Sequence, residues 1–190
     1  MLYQQGSLGR IFVVKLEHGD DLLLEVKRLA VKTGLKSAYL FMIGALQSST
    51  MVVGPRECVL PPQGIETHLD DGREIVAIGT LFPDQDKGEP VLHIHGSLGR
   101  GDTSLTGCLR ADSRVFLVVE MLIIELLGFD AQKGHDPLTM MKTLLLNRVD
   151  ILLVVIENAD EGCRIPIPQI IRVKFWHQIP RHLFLGTPEA

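Results

Sequence analysis

Between residues 74 and 127 four apolar segments follow one another, 74–81, 91–98, 104–109 and 115–127, and no gap between them is long enough for a crossover. Parallel neighbours need a connection of about a dozen residues or more, so these segments are predicted to pair antiparallel. The gap at 83–90 is a polar loop bounded by prolines, and the gap after 98 holds Gly99, Gly101 and Asp102. Residues of that kind turn a chain back on itself.

Upstream, Phe12, Val14 and Leu16 alternate with Ile11, Val13 and Lys15, the period-two pattern of a strand. After Gly19, the residues Leu22, Leu23, Val26, Leu29 and Ala30 recur at helical spacing, with Asp20 placed to cap the first turn and Gly34 to end the last. Two further runs, 37–43 and 48–53, flank Gly44-Ala45-Leu46-Gln47 and are expected to pair with each other as strands. Gly54-Pro55 and Pro61-Pro62-Gln63-Gly64 then break the chain around Cys58 and Val59. One helix among many short strands gives an α+β class, a mostly antiparallel β-sheet with few flanking helices. Further on, 138–146 is read as a helix, 151–156 as a buried strand, and Ile165-Pro166-Ile167-Pro168 as extended chain.

Composition narrows the function. With 46% hydrophobic and 22% charged residues over 190 positions, the chain reads as one globular domain with an extension, not as a disordered or fibrous protein. The division expected is a domain over 1–129 and a C-terminal extension over 130–190 that packs on the core or on a neighbouring subunit. Cys58, Cys108 and Cys163 are too few and too scattered for a disulfide framework, so a reducing cytoplasm is expected. The first ten residues lack the apolar core of a signal peptide, and the longest apolar run, 115–127, is too short for a bilayer and carries Glu120 and Glu125. A net charge of -4 argues against a protein that works mainly by neutralising phosphates.

The densest polar chemistry lies between His93 and Cys108. On a strand, His93 and His95 point to one face about 6–7 Å apart, a separation that suits two imidazoles converging on one ion. A hairpin turn at Gly101-Asp102 places His95 opposite Cys108 and His93 opposite Arg110, which puts all of these side chains on the same face. Two histidines and a cysteine make a first shell for zinc or a similar divalent metal, with a fourth position left over. The same pattern also fits two hydrogen-bonded strand histidines and a cysteine that simply fills the core. A register slip of one residue would turn Cys108 to the other face. His68 and His135 are conceivable fourth ligands, and Arg100 and Arg110 are the candidate ligand-binding residues beside the cluster. Glu120 and Glu125 fall on opposite faces of their strand, and Asp70-Asp71-Gly72-Arg73 reads as a polar turn. Trp176 and His177 cover the core or anchor an interface.

Gly9-Arg10 opening a strand, the Ile43-Gly44-Ala45 step, Glu74-Ile75-Val76, and above all Pro90-Val91-Leu92-His93-Ile94-His95 followed by Gly-Arg-Gly-Asp and Thr106-Gly107-Cys108 make this chain similar to the plants-and-prokaryotes-conserved (PPC) domain, over about residues 9–128. The resemblance implies a mostly antiparallel sheet with flanking helices, a homotrimer, and in several prokaryotic members a metal, commonly zinc. In those members two strand histidines and a third histidine after a Gly-Gly pair hold the ion; here Cys108 after Thr106-Gly107 stands in the third place. The plant signature Gly-Arg-Phe-Glu-Ile-Leu has only a partial echo in Gly72-Arg73-Glu74-Ile75-Val76, and the basic Arg-Gly-Arg AT-hook is absent.

Three functions compete: a trimeric metal-containing binding or regulatory protein, DNA-associated by resemblance though with direct DNA binding disfavoured by its charge; a metal-dependent enzyme acting on a small-molecule ligand; and an assembly protein whose metal only pins the hairpin. No nucleophile–base pair stands out in support of the enzyme.

Overall fold

The computed structural model describes residues 1–147, and the expectations for 151–156, 165–168, Trp176 and His177 lie outside the described residues. The elements run β1 (Ser7–Glu17), α1 (Leu22–Thr33), β2 (Ala38–Pro55), β3 (Gly64–Leu69), β4 (Arg73–Pro83), β5 (Pro90–Arg100), β6 (Thr103–Leu127), β7 (Ala131–Asp136) and β8 (Met141–Leu146). Every named pair of strands is antiparallel. The main sheet has the order β1-β6-β5-β4-β2-β3, with β6 also paired to β2, and β7-β8 forms a separate hairpin.

The helix lies where its apolar spacing put it, but Asp21 rather than Asp20 is its N-cap. The Asp21 carboxylate accepts the Leu24 N–H at 3.0 Å, while that of Asp20 accepts the N–H of Glu17 at 2.8 Å and closes the preceding turn. At the far end Gly34, at φ 66°, takes the left-handed cap position. Leu22, Val26 and Ala30 bury one helix face against Leu40, Met42, Ile75, Ala77, Ile94 and Ile123 of the sheet, which together form the core.

Three expectations need correction. The runs 37–43 and 48–53 are not partners of each other; they are two halves of the single strand β2, and Gly44-Ala45-Leu46-Gln47 is a bend within it. Gly44 sits at φ 142°, and a Cβ there would lie 2.3 Å from the carbonyl oxygen of Val118, so the bend brings backbone against backbone where only glycine fits. Likewise 104–109 and 115–127 belong to one strand, β6, whose register against β2 shifts near Gly44 and again beyond Leu46. These bulges let β6 serve β5 with its first part, β1 with its last, and β2 from Cys108 to Glu125, and they curl the sheet. Finally, 138–146 is not a helix: Met141–Leu146 pairs with β7 across a turn in which the Asp136 carboxylate accepts the Leu138 N–H and the Thr139 hydroxyl. Pairing with β7 satisfies the backbone of Met141–Leu146 and overrides the helical reading of its apolar residues.

Candidate metal centre

The site begins with the hairpin register. The pairing Arg100↔Thr103 closes the turn at Gly101-Asp102, and five rungs along it places His95 directly opposite Cys108. Gly107 permits the other side of the site. A Cβ at Gly107 would meet the Val52 carbonyl oxygen at 2.4 Å, so the missing side chain lets β2 run against β6 at the residue before Cys108.

The Nε2 atoms of His93 and His95 face each other at 3.1 Å, with ring planes at 87°. One ring nitrogen of each histidine and the Cys108 Sγ all lie within 4.8 Å of one another. The histidines are exposed and Cys108 is buried, its thiol facing the Leu109 carbonyl at 3.8 Å. Partial desolvation of its ring, then the charges of Lys133, His95 and Arg110, hold the His93 imidazole below its ordinary range and so favour the neutral, lone-pair-bearing ring. Burial pushes the Cys108 thiol up, against the opposing pull of Arg110 and Lys133. Two neutral imidazoles meeting nitrogen to nitrogen share one proton at most, and an ion accepting both lone pairs and a thiolate satisfies all three groups. The donor set N, N, S suits zinc or a similar borderline divalent ion, which leaves one position of a tetrahedron open. When bound, such an ion supplies a Lewis acid.

Of the other candidates, Arg110 lies near enough to act on both His93 and Cys108, although the paired ladder of β5 and β6 ends at His95 and gives His93 no rung opposite it. Arg100 is elsewhere: its guanidinium bonds the Asp71 carbonyl at the rim of an open concavity of about 880 Å³ that Arg73, Glu74 and Phe116 also line. His68 bonds the Thr50 hydroxyl at 3.0 Å and His135 sits on β7, and neither joins the cluster. Glu125 turns inward and holds Arg10 through two side-chain hydrogen bonds of 2.7 Å, so its carboxyl falls to about 2. Glu120 is exposed on the opposite face.

One residue at the site was not foreseen. Lys133 on β7 is only 6% exposed, and burial holds its ammonium below the usual lysine range while Cys108 pulls it up. Its strand, Ala-Gln-Lys-Gly-His-Asp, shows no apolar alternation, so nothing in the sequence marks this lysine as buried.

The histidines also border an apolar surface. Followed across the strands, Val13, Leu122, Phe41, Ile78 and His95 form one row of neighbours, and Ile11, Ile124, Tyr39, Thr80 and His93 form the next. Ile11, Val13, Tyr39, Phe41 and Ile78 are all exposed on this face, opposite the one α1 covers.

The family model described as the Plants and Prokaryotes Conserved (PCC) domain matches residues 3–127. Among solved structures, a metal-containing protein from Archaeoglobus fulgidus is similar at 23% identity and a TM-score of 0.67, covering 76% of this chain and 99% of that one. A plant- and prokaryote-conserved protein from Pyrococcus horikoshii is similar at 26% identity and a TM-score of 0.62, covering 77% and 100%. A protein from Ralstonia eutropha JMP134, whose name assigns it DNA binding only provisionally, is similar at 20% identity and a TM-score of 0.60, covering 71% and 90%. No curated protein matches the sequence. The family match runs from the opening of β1 to the end of β6, the strands that build the curled sheet and carry His93, His95 and Cys108, and so this chain belongs to the Plants and Prokaryotes Conserved (PCC) domain family.

Proposed function

We propose that this protein is a homotrimeric, metal-containing binding protein in which His93, His95 and Cys108 hold a zinc-type ion at the margin of the surface where subunits meet. The observation that carries the reading is the convergence of two imidazole nitrogens and one thiol sulfur within 4.8 Å on the hairpin of β5 and β6. The metal named for the Archaeoglobus fulgidus neighbour supports it. The exposed rows of Val13, Phe41 and Ile78 support subunit association, because a contiguous apolar patch on a folded domain marks a protein contact. Three copies is the number that the family resemblance implies. Work through DNA, provisional in the name of the Ralstonia eutropha neighbour, is proposed as association through partners and not as direct binding. A net charge of -4 opposes the phosphate attraction on which direct binding depends, and the broad outer face is apolar instead of basic.

Metal analysis of zinc-loaded protein tests the site. The wild type is expected to retain about one zinc per chain, and His93→Ala and Cys108→Ala to lose most of it, since removing one of three ligands weakens a zinc site severely. His68→Ala is expected to match the wild type. Unchanged zinc content in both ligand variants would end the proposal.

A further inference from the structure

The concavity beside Arg100 is shaped by one row of strand neighbours: Phe116, Ala45, Glu74 and Gly99, each paired with the next. Large and small side chains alternate along it, so the row is notched. Ala45 is only 7% exposed although it lies outside the core that α1 covers, which makes it the floor between Phe116 and Glu74. Strands stand about 4.8 Å apart, so Phe116 and Glu74, two strands from each other, are separated at the backbone by roughly 10 Å. The volume of about 880 Å³ falls in the range of small-molecule sites, about 300–1,000 Å³.

Phe116 is set in place by a strained bulge. Against β2 the pairing steps from Val119 to Phe116, leaving Leu117 and Val118 out of the ladder, and Leu117 takes φ 61°. That left-handed conformation is costly for a leucine, and Leu117 stays 66% exposed, so the strain does not serve to bury it. Bulges re-aim side chains, and this one holds Phe116 over Ala45, where the His18 ring stands edge-on to it with centroids 5.8 Å apart. On the other side of the notch the charges are unevenly matched. Arg73 donates to both carboxylate oxygens of Asp71, at 2.7 and 2.9 Å, and so balances that charge. Arg100 meets Asp71 through Nη1 alone, and among the described residues its Nε and Nη2 groups have no partner. Nor does any described cation pair with the Glu74 carboxylate. In order across the strands stand an open guanidinium edge, a free carboxylate, a small floor and an aromatic wall.

We propose that this concavity binds a small zwitterion, an α-amino acid with an apolar side chain. Its carboxylate meets the Nε and Nη2 edge of Arg100, a fork suited to two oxygens. Its ammonium meets Glu74, and its side chain lies over Ala45 against Phe116. The site lies further along β5 than His95 and does not depend on a metal.

Isothermal titration calorimetry on the full chain tests it, with L-phenylalanine as the probe and two analogues that each lack one charge, 2-phenylethylamine and 3-phenylpropionate. Phenylalanine is expected to bind saturably, and each analogue to bind more weakly by about tenfold or more, the scale for losing a charge-assisted contact. Arg100→Gln and Glu74→Gln are each expected to weaken phenylalanine by a similar factor with unchanged circular dichroism. The analogues read the same two contacts on unaltered protein, so the test does not hang on how the variants fold. No saturable binding of phenylalanine up to about 10 mM, a ceiling well above the millimolar scale of weak ligands, would overturn the proposal. So would analogues that bind as tightly as phenylalanine, or folded variants that match the wild type.

Discussion

Glu125 shows how a charge within an apolar strand is accommodated. Its carboxylate accepts the backbone N–H of Arg10 at 3.0 Å as well as two guanidinium bonds, and these hold its carboxyl down at about 2 from an ordinary 4.5. A carboxyl lowered on folding contributes stability that is complete above its unfolded value and disappears as pH falls toward its folded value. The acid limb of the stability curve should therefore drop by about 2 kcal/mol between roughly pH 5 and pH 2 on account of this residue. Denaturant unfolding of Glu125→Gln at a series of pH values checks it, since that variant should be less stable at neutral pH and show a shallower acid limb. At the same scale, the residues of the candidate site differ in how visible they are beforehand. His93, His95 and Cys108 are legible in the sequence because a tight turn sets the register and period two sets the face. Lys133 is not, because β7 is held to the 84–89 loop by backbone pairing between segments about fifty residues apart, which no local pattern encodes.

Strand by strand, the elements account for the site's shape. Turns, the helix and the β5–β6 hairpin are local, and the sequence spacing matches what forms. The bends in β2 and β6 are not local: each half-strand reads as a separate segment, and only the bulged pairing of the two over their whole length makes them continuous. Gly44 and Gly107 mark the places where β2 and β6 come closest, and both read beforehand as ordinary turn or strand glycines. A methyl group at Gly107 would have to displace the Val52 carbonyl and shift β6 at the residue before Cys108. Gly107→Ala is accordingly expected to lose about 1–3 kcal/mol of stability and to weaken zinc retention in the same protein. Thermal unfolding with and without zinc checks it: the gain in melting temperature on adding zinc should be smaller than in the wild type.

At the scale of the whole molecule, one face of the sheet is covered by α1 and the other bears exposed rows of apolar side chains that run into His93 and His95. No helix among the described residues is long and apolar enough to cross a membrane. If the face joins subunits, a charge at its centre should separate them without unfolding them, because Ile78 is exposed in the single chain. Sedimentation equilibrium is expected to give the mass of three chains for the wild type and of one for Ile78→Asp, with the same circular dichroism. A wild type that sediments as a single chain at micromolar concentration contradicts the trimer.

Zinc-edge X-ray absorption of the loaded protein reads the identity of the three ligands. One sulfur at about 2.3 Å and two nitrogens at about 2.0–2.1 Å are predicted, the distances of thiolate and imidazole on zinc. A shell without sulfur, or a sulfur shell that persists in Cys108→Ser, would contradict the account.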